Sequence, residues 1–322
     1  ITAIASKQIN NLNSFTCGFD SSSASGMELG FDEREKAEAM SAIFKTEHYE
    51  MILKSGDMER CLSKLVWHLE VPRVGQSYPN YYVAKLASKF VKVVLAGTGG
   101  DELFAGYPWR YYRAYDCKNF EDYIDKYYLY WQRLINNKDL KNICKPINKE
   151  IKYICTKDIF RNVFPEMNND LNSPQDYINH SLYMECKTFL KGLFHVEDKL
   201  SMAHSLETRV PFMDNDLVNF ALKCPVTKKI DYLKYAPNVI NENDPGNKQS
   251  KYFKRTNDGK KILRQMMSKY IPKEITSAQK KGFSAPDASW FKGESIEFVR
   301  RRLITKNSPL YEILDKDSII SI

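Results

Sequence analysis

The sequence predicts an α/β fold in which a parallel sheet is wrapped by helices and followed by a mostly helical C-terminal lobe. Three observations point there. Short β-prone runs alternate with segments of helical period over the first hundred residues. A glycine-rich turn follows the third of these runs directly. Beyond about residue 110 the strand signals fade, and Gly192 is the only glycine between Tyr111 and Phe194. Parallel strands need helical crossovers, which cover both faces of the sheet.

In chain order, Asn13-Ser-Phe-Thr-Cys-Gly-Phe19 reads as the first strand. Asp32 reads as the acidic N-cap of a helix running through Phe44. Tyr49-Glu-Met-Ile-Leu53 is the second strand. From Met58 to Leu69 a helix places Leu62, Leu65, Val66 and Leu69 on one face, and Tyr81 to Ala87 repeats the pattern. Val91 to Ala96, with its β-branched residues, reads as a buried strand. The expected division is an α/β core over residues 1–115 and a helical part over 116–322. Asn241 to Ser250 is a polar loop with turn formers at its centre.

Composition narrows the class. With 43% hydrophobic and 27% charged residues among 322, disorder and collagen-like architectures drop out. The apolar runs are far too short for a bilayer span, and the first residues lack the order of a signal peptide. Seven cysteines, odd in number and never spaced Cys-x-x-Cys, argue against a disulfide framework or a zinc ribbon. They fit a reducing cytoplasm. A net charge of +8 suits an anionic partner, yet the basic residues lie among acids as on any soluble surface. No nucleic-acid recognition motif appears, so neither nucleic acid nor membrane is expected as a partner. Ile1-Thr-Ala-Ile-Ala reads as an uncapped helix interior and Ser318-Ile-Ile-Ser-Ile322 ends uncapped, which suggests part of a longer polypeptide.

Three stretches carry chemistry. The first is Val93-Val-Leu-Ala-Gly-Thr-Gly-Gly-Asp-Glu-Leu-Phe-Ala-Gly-Tyr107. Gly97, Gly99 and Gly100 at a strand's carboxyl end let backbone N–H groups approach an anion, and the helix start after them adds positive potential. Open α/β sheets bind ligands at this end. Asp101 and Glu102 would repel a phosphate unless a cation bridges them, and Mg²⁺ held by one carboxylate plus phosphate oxygens does so. Helix capping is the plain alternative for both. The glycine spacing matches neither a Walker A loop nor the dinucleotide fingerprint.

The second stretch runs from His195 to Asp214 and mixes charges with apolar residues, so its charges must be paired or serve a ligand. Asp214 reads as the cap of the following helix. Glu207 and Arg209 form either a buried ion pair or part of a binding site. The third stretch, Ser277 to Gly293, offers Lys280-Lys281-Gly282 as cations in a flexible loop, or as an ordinary solvated pair.

Together these stretches resemble the synthetase domain of the glutamine-hydrolysing asparagine synthetase family. The counterparts are Ala96-Gly-Thr-Gly-Gly-Asp-Glu102, Ser201-Met-Ala-His-Ser-Leu-Glu-Thr-Arg-Val-Pro-Phe-Met-Asp214 and Gln279-Lys-Lys-Gly-Phe-Ser284. The resemblance implies an ATP pyrophosphatase-type domain, adenine nucleotide alpha hydrolase-like, that uses ATP and Mg²⁺ to adenylate a carboxylate such as aspartate. An amine then attacks the acyl-AMP. By similarity, Asp101 binds the metal, and Gly99, Gly100 and Lys280 bind pyrophosphate. Lys280 and Glu102 take catalytic roles, Cys17, Ala96 and Gly97 touch the adenosine, and Thr98 with Asp198 lies on the substrate side.

Three departures qualify this. The family's Ser-Gly-Gly-x-Asp-Ser-Ser loop is missing, and Phe19-Asp-Ser-Ser-Ser23 is no substitute because it lacks the paired glycines. No glutaminase segment is present, so ammonia must come from outside this chain, which alone is not expected to cleave ATP. Thr98 stands where the family carries glutamate, which opens the choice of acceptor. A related amide-forming enzyme with another acceptor, or a silent nucleotide-binding scaffold, is the alternative, and a homodimer stays open.

Overall fold

The computed structural model describes residues 1–23, 32–72, 77–112, 116–132, 135–164, 171–231, 259–278, 285–293, 295–305 and 307–321. These form mostly helices with two small parallel sheets.

Strand β1, Asn13–Phe19, is followed by helix α1, Arg34–Phe44, and strand β2, Glu47–Leu53. The two strands pair in parallel from Asn13 opposite Glu47 to Phe19 opposite Leu53. Asp32 stands one residue before the N-cap position, Glu33, yet its carboxylate accepts from the Arg34 N–H that opens α1, at 3.1 Å, so the expected acidic cap is displaced by one residue. It also accepts from the Arg34 guanidinium at 2.8 and 2.6 Å, and that side chain lies across Gly18, where a Cβ would meet it at 2.4 Å.

Phe19 and Leu53, at the strands' carboxyl ends, are buried among helices α2, Asp57–Leu69, and α3, Ser77–Ala87. In α2 the buried stripe is Cys61, Leu65 and Leu69, spaced four residues apart. Val66, expected inside, is 56% exposed. Of the four residues expected on the inner face, Leu65 and Leu69 are buried, Leu62 is half-buried and Val66 lies outside, while Cys61 joins the stripe as a small hydrophobe.

Strand β3, Val93–Leu95, leads into the short helix α4, Gly100–Leu103. The expected buried strand is covered on one side only. Val94 packs beside Ala84, Ala87 and Leu206, whereas Val93 and Leu95 are about half exposed. With a period of two, alternate residues face opposite sides, and only one side has a helix over it among the described residues.

Among the described residues beyond 116 helices predominate, as the texture predicts. Helices α5, Phe120–Trp131, and α6, Pro174–Met184, enclose a tyrosine-rich core built on Tyr111, Tyr123, Tyr127 and Ile178. Ser173 and Asp176 form a capping box that starts α6. A π-helical stretch, Glu185–Leu190, then continues into helix α7, Lys191–Met202. One strand escaped the sequence reading. Strand β4, Glu207–Arg209, pairs in parallel with β3, opposing Val93 with Glu207 and Leu95 with Arg209. Helix α8, Asn215–Lys223, follows, and Asp214 caps it by accepting from the Asp216 and Leu217 N–H groups. Helices α9, Lys261–Met267, and α10, Asp287–Lys292, complete the surroundings of the site.

The stripe on α2 gives a direct test. Leu69→Ala should cost about 2–5 kcal/mol in urea unfolding, and Val66→Ala under about 1 kcal/mol. Equal losses would mean that the helix packs on the face first expected.

Candidate active site

The site grows from the β3–β4 ladder. After Leu95 the chain keeps pairing for one more residue, with the Ala96 N–H donating to the Arg209 carbonyl at 2.9 Å. It then turns through Gly97, and the Gly100 N–H reaches back to the Gly97 carbonyl at 3.3 Å. Gly99 has φ +96°, a backbone conformation that side-chain-bearing residues rarely adopt. A Cβ there would also lie 2.3 Å from the Met213 methyl. Gly100 faces the Phe212 ring, 3.2 Å from where its Cβ would stand. Around Gly97 none of the described residues lies within 4 Å of that position. Packing therefore explains Gly99 and Gly100, and leaves Gly97 facing open space.

Asp101 follows at the head of α4. The Lys260 ammonium sits 2.7 Å from its Oδ1. Two glycines make this approach fit. A Cβ on Gly106 would fall 1.8 Å from Asp101 Oδ1, and one on Gly259 would fall 2.3 Å from the Ala105 carbonyl. The Lys260 N–H donates to the Phe104 carbonyl at 2.9 Å, which seats the start of α9 on the turn. Among the described residues no group of three or more His, Cys, Asp or Glu side chains is placed to hold a metal by itself. One partly exposed carboxylate that already holds a cation fits Mg²⁺ only in the manner of a nucleotide site, where phosphate oxygens and water supply the other ligands.

Glu102 points the other way. It is 1% exposed and accepts from the Tyr107 hydroxyl at 3.1 Å. Burial, and then the Asp101 charge, push its carboxyl above the usual range. Behind it lies a second buried carboxylate, Glu185, in the π-helical stretch. Glu185 accepts from Tyr111 at 2.7 Å, and from Arg110 and Tyr127 at 3.2 Å each. The Arg110 guanidinium stacks on Tyr107 at 3.8 Å and on Phe189 at 4.6 Å. A continuous polar chain thus runs from the turn into the helical lobe, every carboxylate in it held by donors. Such a chain fixes Glu102 from behind.

The remaining expected residues divide. Cys17 lies near the carboxyl end of β1, partly buried, and burial pushes its thiol up to about 12, so it stays protonated at neutral pH. Thr98 meets the carboxylate of Glu197, a residue the sequence reading passed over. Asp198, its neighbour, is exposed on α7. Consecutive helical residues stand about 100° apart, so only one of the two can face the turn. Glu207 and Arg209 do pair, at 3.3 Å, but on the surface rather than in a buried setting, where such a pair contributes little. Phe19-Asp-Ser-Ser-Ser23 closes on itself: Asp20 accepts from the Ser22 N–H at 3.0 Å and from its hydroxyl at 2.7 Å.

Lys280, with Lys281 and Gly282, lies outside the described residues, as does the polar loop 241–250. The flanks of the lysine segment are anchored. Arg264 donates to the Ala278 carbonyl at 2.9 Å, Ala285 joins the core cluster of α2, α3 and α7, and Asp287 accepts from the Tyr78 hydroxyl at 2.9 Å.

The glycines give a paired test. Gly99→Ala should lower stability by about 1–3 kcal/mol, since it meets both an unfavourable φ and a clash. Gly97→Ala should change it by under about 0.5 kcal/mol. Thermal melts of the two variants side by side check this, and a large loss at Gly97 would contradict the open geometry.

Comparison with known proteins concerns the chain as a whole. The asparagine synthase family model matches residues 1–322. Asparagine synthetase (glutamine-hydrolyzing) 1 of Bacillus subtilis (strain 168) is 27% identical over 355 aligned positions, covering 100% of this chain and 50% of that protein. A putative asparagine synthetase (glutamine-hydrolyzing) of Mycobacterium bovis is 26% identical, covering 93% of this chain and 45% of its own length. Putative asparagine synthetase (glutamine-hydrolyzing) 2 of Methanocaldococcus jannaschii reaches 35% identity over 100 residues, 31% of this chain. The chain spans about half the length of the first two relatives. With its whole length matched, this chain belongs to the asparagine synthase family.

Proposed function

We propose that this chain is the ligase portion of an ATP-dependent amide-forming enzyme, with an adenine nucleotide alpha hydrolase-like core. It activates a carboxylate such as aspartate as an acyl-AMP, and ammonia from a glutaminase segment outside this chain completes the amide. The observation that carries the reading is the turn after β3, where Gly97 opens its backbone to space while Asp101 holds a cation at the end of the same turn.

In this reading Ala96, Gly97 and Cys17 border the adenosine, Ala96 and Gly97 through backbone groups. Gly99 and Gly100 present N–H groups to pyrophosphate. Asp101 would hold Mg²⁺, which when bound neutralises charge on the leaving pyrophosphate. Lys260, 2.7 Å from Asp101, holds that carboxylate in place. Glu102, backed by Tyr107, fixes the turn's inner side. Lys280 steadies negative charge as the α–β phosphate bond breaks, a task for a compact ammonium. Thr98 and Asp198 belong to the acceptor side.

A second reading, an amide-forming relative with another acceptor, is favoured by Thr98, because a hydroxyl cannot offer a substrate the charge of a carboxylate.

Two measurements test the proposal in the natural protein. Asp101→Asn should reduce Mg²⁺-dependent exchange of ATP with pyrophosphate by orders of magnitude, and normal exchange would end its assignment. Lys280→Ala should slow acyl-adenylate formation by about a hundred- to thousandfold, against under about tenfold for Lys281→Ala. Equal, small effects would return both lysines to the surface, and a larger effect at Lys281 would shift the assignment by one residue.

A further inference from the structure

Helix α7 is pinned on three sides. Val196 and Leu200 are buried in the cluster that contains Phe19, Leu53 and Tyr78. His195 Nε2 bonds the Leu69 carbonyl at 2.8 Å, and the Lys199 ammonium meets Glu70 at 2.6 Å. These contacts fix the rotation of the helix and turn Glu197 toward the glycine turn. There burial pushes the Glu197 carboxyl above the usual range, and the Thr98 hydroxyl against it partly offsets this. Glu197 Oε2 is closed off from solvent and has no hydrogen-bond partner among the described residues. Val196, Leu200, His195 and Lys199 are engaged elsewhere, so this oxygen is left over from the packing rather than satisfied by it. Beside Thr98, Gly97 faces open space.

An ionised carboxylate only accepts hydrogen bonds, and one shut away with a free oxygen is stabilised by an N–H donor, best of all a cationic one. We propose that Glu197 is the group that receives an amine nitrogen at this site, with Thr98 as its positioning partner. Its carboxylate reaches from α7 to a position where the β3 turn itself offers only a hydroxyl. The inference rests on the amide-forming reading, in which two species bring such a nitrogen: the incoming ammonia and the amino group of an amino-acid acceptor. The recognised chemistry is the same for both, and their kinetics separate them.

The test uses the natural protein with Glu197→Gln, which keeps size and removes charge, Glu197→Asp, Thr98→Val, and the Gln/Val double variant. We expect Glu197→Gln to raise KM for ammonium or for the amino-acid acceptor roughly ten- to hundredfold, the size of a lost charge-assisted hydrogen bond, with KM for ATP unchanged within about twofold. Whichever KM moves identifies the nitrogen, and a deamino analogue of the acceptor should lose its dependence on residue 197 only in the second case. Glu197→Asp should restore part of the loss. Thr98→Val should act in the same direction but more weakly, and add nothing on top of Glu197→Gln.

Methylammonium titration followed by thermal melting supplies a readout that needs no turnover. Saturable stabilisation of the wild type that Glu197→Gln abolishes would support the assignment even if no acceptor supports ATP exchange, an outcome that would sink the amide-forming reading alone. Identical melting responses, together with both amine KM values within about twofold, would overturn it.

Discussion

The site depends on three parallel pairs between β3 and β4. They join residues far apart in the chain, and the glycine turn with Asp101 and Glu102 is positioned from them. The ladder continues at both ends, from the Glu207 N–H to the Lys92 carbonyl and from the Ala96 N–H to the Arg209 carbonyl. Once β4 lies beside β3, Phe212 and Met213 must pass under Gly99 and Gly100. Only glycine leaves room there, so the turn is shaped by its contact with a distant segment rather than by its own sequence. The same pairing carries α7 across the turn and brings Glu197 to Thr98.

Two kinds of interaction keep the turn in place, and they differ in strength. The Glu185 hub is fully buried, and its three donors can be lost only by leaving a carboxylate unsolvated, which makes it costly to disturb. The Asp101–Lys260 pair is partly open to water, so its contribution is modest and it can exchange for another cation. The rigid part lies behind the turn and the adaptable part at its mouth. That is the arrangement expected where a charged ligand must enter and leave.

Much of this was legible in the sequence. The glycine run after a β-branched segment located the turn, and Asp214 followed by helix formers located the α8 cap. The tyrosine-rich stretch marked a helical segment because it holds a single glycine, Gly192, and carries helical periodicity. β4 could not be read, since its three residues, Glu207, Thr208 and Arg209, carry no alternating pattern, and a strand that short exists only through its partner. The inward face of α2 was misjudged at Val66 because hydrophobicity reports which residues can be buried, not which neighbour arrives. Glu197 was missed for a related reason. It stands beside a more conspicuous aspartate, and only the rotation of a packed helix decides which of the two turns inward.

Gly106 is held to glycine by contact rather than by conformation. It adopts no unusual backbone angle, yet a methyl there would fall 1.8 Å from Asp101 Oδ1 and 2.7 Å from the Asp101 Cα. The second approach is to backbone, so shortening the acid would not open the position. The tolerance of residue 106 is set by how closely the chain folds back on the head of α4, and it outlasts whatever side chain position 101 carries.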